Sequence, residues 1–252
     1  MLLHRARSLR LGCIGIKSPG LVLVPLALAG CDGPLSALSP AGPAARDIAW
    51  LWWAMLAGAA ALTLLVLVLV AMGFGRPREV PERRWTVALG VWFSVAILGA
   101  LLVAGLWVGE RNLPPGSGNG NGSGAVQVRV HAHQWGWRFT QPGPDGAPVE
   151  TRDVLYIPAG EAIEVLVSAE DVIHSFWVPR LAGKIDAIPG RVNRLFLQAD
   201  APGRYGGVCA EFCGAGHALM RFEVVAYPPD DPPDALRQPA PPAALPQGAS
   251  EE

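Results

Sequence analysis

The run "IAWLWWAMLAGAAALTLLVLVLVAMGF" fills residues 48–74 without one charged side chain. About 20 apolar residues suffice to cross the hydrocarbon core of a bilayer, so this stretch predicts a transmembrane helix. A second such run, "WTVALGVWFSVAILGALLVAGLWVG", follows at residues 85–109. Trp50, Trp52 and Trp53 stand at one end of the first run, and Trp85 and Trp107 bracket the second. Amphipathic rings at span ends are the expected interfacial placement. The loop between them, "GRPREVPERR" at residues 75–84, carries Arg76, Arg78, Arg83 and Arg84. By the positive-inside rule it faces the cytoplasm, and both outer ends of the hairpin face away from it.

Outward from the hairpin, the N-terminal side reads as an export signal over residues 1–30. His4, Arg5, Arg7, Arg10 and Lys17 make a basic start, and "GLVLVPLALAG" (Gly20–Gly30) is an apolar core too short to span. It ends in "LAGC", which resembles the bacterial lipoprotein box, so Cys31 is the expected lipidation site. Cys13 then leaves with the signal, and Cys209 and Cys213 remain as the thiols of the exported protein. Exported thiols normally oxidise to a disulfide unless something else holds them.

The 252 residues, 16% of them charged, have a mean hydropathy of +0.30, apolar for a soluble protein. A net charge of −1 and the lack of a basic run give no footprint for nucleic acid.

On the C-terminal side, "NLPPGSGNGNGSGA" (residues 112–125) reads as a flexible linker. From Val126 the pattern changes to period 2, with Val126, Val128 and Val130 alternating with polar residues. "IEVLVSAE", "NRLFLQAD" and "RFEVVAY" are further short strands, separated by "PAGE", "IPGR" and "APGR" turns. Residues 126–227 therefore predict a sandwich or barrel of short strands. The Pro-, Ala- and acid-rich tail, residues 228–252, is expected to be disordered.

Within that domain, "CAEFCGAGHALM" (Cys209–Met220) places two thiols, an imidazole and a thioether in one loop. A disulfide explains neither His217 nor Met220. Structural zinc takes four Cys or His ligands and gains little from a thioether. Thiolate, thioether and imidazole together are a soft set that favours copper. A single blue-copper ion is already satisfied by Cys213, His217, Met220 and an upstream histidine, best supplied by His174 of "DVIHSFWVP". Cys209 is then surplus. A second thiolate beside the first lets both sulfurs bridge two ions, with the histidines as terminal ligands, so the ligand count favours a dinuclear copper centre. His131 and His133, two apart on one strand face, are read as structural because the copper set is full.

The motif Cys-x-Glu-x-Cys-Gly-x-x-His-x-x-Met resembles the dinuclear copper loop of subunit II of haem–copper cytochrome c oxidases. "DVIHSFWVP", "GKIDAIPGRVN" and "HQWGWRF" resemble that family's upstream-histidine segment, its next segment and its aromatic stretch. The likeness runs from about Ile48 to Tyr227. It implies a membrane-anchored all-β architecture: a two-helix transmembrane hairpin followed by a cupredoxin-like Greek-key β-barrel. It implies that Cys209 and Cys213 bridge two copper ions, that His174 and His217 are terminal ligands, and that Met220 and the Glu211 main-chain carbonyl are weak ligands. It also implies magnesium at the subunit I boundary through the Glu211 side chain, electron arrival from cytochrome c at Trp135, and a proton-path mouth at Glu82. The partners expected are subunit I, with its haem and oxygen chemistry, and subunit III, in a proton-pumping complex of the bacterial cytoplasmic membrane with the copper domain on the periplasmic face.

The sequence departs from the family pattern in places. Gly136 stands where an aromatic is usual, the domain is sparse in acid, and the second span lacks an internal proline. A quinol oxidase subunit II lacks the copper ligands, and nitrous-oxide reductase needs a large further domain. The alternative from another class is a membrane-anchored copper chaperone or storage protein, and a third is a structural lipoprotein with a disulfide.

Overall fold

The computed structural model describes residues 33–75, 81–112 and 126–237. The expected export signal, Cys31, the centre of the arginine loop, residues 113–125 and the tail after residue 237 lie outside the described residues. Two long helices, α1 (Pro43–Gly73) and α2 (Glu82–Arg111), form the hairpin. At about 1.5 Å per residue each is roughly 45 Å long, against a hydrocarbon core of about 30 Å. The most apolar window of neither helix is buried by protein, so Leu67, Val103 and Leu106 present their side chains outward. Pro43 opens α1 at the one helical position where a missing N–H costs nothing. α2 is π-helical over Thr86–Phe93, where Ser94 Oγ donates to the Leu89 carbonyl five residues back. At the far ends of the helices Arg111 approaches Asp47 at 4.0 Å.

The rest of the chain is a two-sheet β-domain. Its strands are β1 (Gln127–His133), β2 (Gly136–Pro142), β3 (Pro148–Arg152), β4 (Val154–Pro158), β5 (Ile163–Ala169), β6 (His174–Trp177), β7 (Ile185–Ala187), β8 (Asn193–Leu197), β9 (Gly203–Cys209) and β10 (Arg221–Tyr227). One sheet has the order β3-β2-β1-β5-β8 and the other β4-β10-β9-β6-β7. The β1–β5 and β4–β10 pairs are parallel, and the remaining ladders are antiparallel. Period-2 burial drives this arrangement. Val128, Val130 and Ala132 of β1 point inward, while Gln127 and Arg129 face out. Val126 is exposed, so the inward alternation starts one step later than its sequence suggests. Trp137, Phe139, Phe176 and Phe222 fill the space between the sheets, with ring centroids 4.7–5.8 Å apart. Gly207 of β9 leaves room for Phe222, whose Cδ2 lies 2.6 Å from where a Cβ would be.

Two stretches of linker-like composition are packed. Residues 33–42, just before α1, form a strap against the domain. Ala41 donates to the Arg180 carbonyl (2.7 Å) and accepts from Asp200 N–H (2.8 Å). Arg180 Nε donates to the Ser39 carbonyl at 2.8 Å. Gly42 passes so close to the domain backbone that a Cβ would fall on the Gln198 carbonyl and 2.8 Å from that of Leu181. At the other end the expected disorder is corrected for residues 228–237, the part of the tail among the described residues. Residues 228–237 fold back over the domain, and Leu236 is buried on a 3₁₀ turn. Prolines favour turns in that stretch, and Leu236 is its buried apolar contact.

Candidate metal centre

Three loops at one end of the sandwich build the site. β9 ends in Cys209 and β10 begins after Met220, and Cys209 N–H donates to the Met220 carbonyl at 3.0 Å. The intervening loop is therefore clamped at both ends by a strand pair. β6 lies beside β9, with Phe176 opposite Cys209, which brings His174 to the same end. The β1–β2 turn supplies Gln134 and Trp135.

The six residues expected as ligands converge. Cys209 Sγ and Cys213 Sγ are 3.9 Å apart. His174 Nδ1 lies 3.9 Å from Cys209 Sγ, and His217 Nδ1 lies 3.7 Å from Cys213 Sγ. Met220 Sδ is 3.8 Å from Cys213 Sγ, and the Glu211 carbonyl oxygen is 3.2 Å from Cys209 Sγ. His174 and Met220 are fully buried, and both cysteines are buried and free. Each thiol thus has its own imidazole, and each has one weaker donor.

This geometry fits metal better than a disulfide. A disulfide needs its sulfurs about 2.05 Å apart. Two sulfurs at 3.9 Å lie closer than two metal–thiolate bonds of about 2.3 Å laid end to end, so one ion can touch both. The pocket is costly for bare thiolates. Burial, and then the adjacent Cys209 sulfur, push the Cys213 thiol up to about 11. The polar neighbours of the two sulfurs are imidazoles, a thioether, a carbonyl and each other, and none is a fixed cation. A bound cation would supply the missing positive charge, and the softness of the donors favours copper.

Two supporting residues escaped the sequence reading. Asp171 accepts from His174 Nε2 at 2.8 Å, from Gln134 N–H at 2.7 Å and from Val172 N–H at 2.7 Å. Burial opposes its ionisation, but the bonds from His174, Val172 and Gln134 prevail and lower the carboxyl to about 2. A carboxylate there keeps the proton on Nε2 and leaves the Nδ1 lone pair facing Cys209. Gln134 Nε2 donates to the Cys213 carbonyl at 2.8 Å. The clue to Asp171 was its place three residues before His174, since a ligating imidazole needs a partner on its second nitrogen. Gln134 carries no comparable signal.

The other expected residues lie as follows. Trp135 is half exposed, with its indole N–H 3.2 Å from the Cys213 carbonyl. The Glu211 carboxylate stands 4.0 Å from Lys184 Nζ, which itself holds Asp186 at 3.0 Å. Glu82 is the exposed first residue of α2. His131 Nδ1 is 3.0 Å from Ser168 Oγ, and its Nε2 lies 3.9 Å from Glu170. His133 packs on Gly136, its ring 3.3 Å from where a Cβ would sit.

A sequence profile described as cytochrome c oxidase subunit II, periplasmic domain, matches residues 140–226. Subunit 2 of cytochrome c oxidase from Alkalihalophilus pseudofirmus is 52% identical over 77 residues, 31% of this chain and 22% of that protein. Its counterpart from Branchiostoma floridae is 43% identical over 84 residues, 33% of this chain and 36% of that protein. The chain thus spans only 22–36% of the length of these curated relatives. The solved periplasmic domain of subunit II of the cytochrome oxidase of Bradyrhizobium japonicum aligns at 29% identity with a TM-score of 0.39, covering 42% of this chain and 86% of that one. By the profile match and the two subunit 2 identities, the β-domain of this chain is similar to the periplasmic domain of cytochrome c oxidase subunit II.

Proposed function

We propose that the chain receives electrons for a cytochrome c oxidase, at a dinuclear copper centre, and hands them to haem in a partner subunit I. The observation that carries this is the pair of buried free thiols 3.9 Å apart, each with an imidazole Nδ1 beside it. When bound, a copper pair supplies one-electron redox chemistry. The chain's own residues do the rest. Cys209 and Cys213 would hold both ions, His174 and His217 would each complete one, and Met220 and the Glu211 carbonyl would be weaker ligands. Asp171 fixes the His174 tautomer, and the buried aromatic core behind the site keeps water from the sulfurs.

Trp135, exposed on one side and hydrogen-bonded to Cys213 on the other, is the proposed point of arrival for electrons from cytochrome c. Its contact with the backbone of a ligand residue supports that role. The Glu211 carboxylate is proposed to reach magnesium at the subunit I boundary, where it would exchange Lys184 for the ion. Glu82 is proposed at the mouth of a proton path, Cys31 as a lipid anchor, and subunit III as a further partner. The whole assembly is proposed to sit in a bacterial cytoplasmic membrane with the β-domain outside, and to pump protons as subunit I reduces oxygen.

The test is to purify the full chain in detergent, load it with copper and record visible and EPR spectra. Two coppers per chain and a mixed-valence hyperfine pattern are expected. One copper with a blue spectrum, or labile Cu(I) with no such pattern, would replace this reading with a mononuclear carrier or a copper store.

A further inference from the structure

The Trp135 indole lies flat on the backbone of the metal loop. A Cβ on Gly216 would fall on that ring, 2.5 Å from Cγ and 2.8 Å from Cε3. A Cβ on Gly214 would come 3.3 Å from Cζ2 and 3.4 Å from Nε1. The ring therefore spans both glycines, and its N–H reaches the Cys213 carbonyl that Gln134 also holds.

The two glycines are there for different reasons. Gly214 has φ +115, a backbone conformation that a side chain rarely adopts. Gly216 has φ −87 and ψ 2, which any residue can take. Nothing in the backbone demands glycine at 216, and the three nearest atoms a Cβ there would meet all belong to the Trp135 ring. Those ring atoms sit near the root of the side chain, so the indole cannot yield by swinging its tip.

We infer that Gly216 is a positioning residue for Trp135: its missing side chain seats the indole against Cys213 and so fixes the electronic contact through which the site is loaded. This rests on the reading of Trp135 as the point of electron arrival. A side chain at 216 lifts the ring and breaks the Nε1 bond to the Cys213 carbonyl, while the strand clamp and the ligands stay in place.

The experiment uses the intact oxidase complex carrying G216A, W135F or both. Copper absorption and EPR, reduction by dithionite, and turnover driven by reduced cytochrome c are measured in each. G216A should keep the copper spectra and the dithionite reduction, and lose roughly tenfold or more of cytochrome-driven turnover, because a displaced contact is costly in rate. W135F should lose a similar factor, and the double variant no more than either alone. If W135F is slow while G216A turns over at the parental rate, the seat is irrelevant and the inference falls. It falls equally if G216A alters the copper spectrum, since Gly216 then serves the ligand loop. If W135F itself keeps the parental rate, the reading of Trp135 fails first and the inference with it.

Discussion

Cys209 shows how much one side chain decides. Without it, Cys213, His174, His217 and Met220 still make a complete set for one ion. Cys209→Ser is therefore expected to abolish a two-copper EPR pattern, leaving at most one ion per chain by metal analysis. Met220→Leu removes only a weak donor, so it should keep two coppers and shift the reduction potential, read by redox titration. The apo thiols give a pH signature. Cys213 ionises near 11 when folded and near 9.0 ordinarily, so the folded state holds its proton longer than the unfolded chain. Stability of the reduced apo protein is complete below about pH 9 and falls as pH rises towards 11. Urea midpoints over that window should drop for the parent and drop less for Cys213→Ser. The ligands were legible in the sequence because soft donors at this spacing have few other uses. Asp171 was not, since an acid three residues from a histidine is common and only distance shows which nitrogen it meets.

Among the elements, the strap of residues 33–42 carries the clearest prediction. Gly42→Val has no space beside the Gln198 and Leu181 carbonyls and should cost about 1–3 kcal/mol, the usual penalty of overpacking. Thermal unfolding of the β-domain within the full chain would measure it. Leu236→Ala empties a buried site at the opposite end and should cost about 2–5 kcal/mol in the same assay. β5, β8 and β10 were readable because their valines and leucines alternate or run together. The strap was not, because proline, serine and glycine spell a linker whether or not a surface waits for them. What fixes it is a close approach at Gly42 and three hydrogen bonds to residues far along the chain, and no local pattern encodes those.

At the scale of the molecule, the packing of the β-domain extends beyond Val126 and Tyr227. Ala41 and Ala44 pack on its core from the N-terminal side, and Leu236 closes it from the C-terminal side. A fragment ending at Tyr227 is expected to unfold at lower urea than one ending at Arg237, with intrinsic fluorescence, to which the buried Trp137 contributes, as the probe. The hairpin and the β-domain were both legible in outline from apolar run length and strand period. Their mutual contact was not, since it depends on which backbone groups the strap leaves for the domain. That contact orders the biogenesis of the chain. Ala41 emerges from the ribosome some 140 residues before Arg180 and some 160 before Asp200, its partners. At about 5–20 residues per second that is a delay of roughly 7–30 s. The strap and α1 are therefore made before the strands they contact, and the domain closes onto a segment already synthesised.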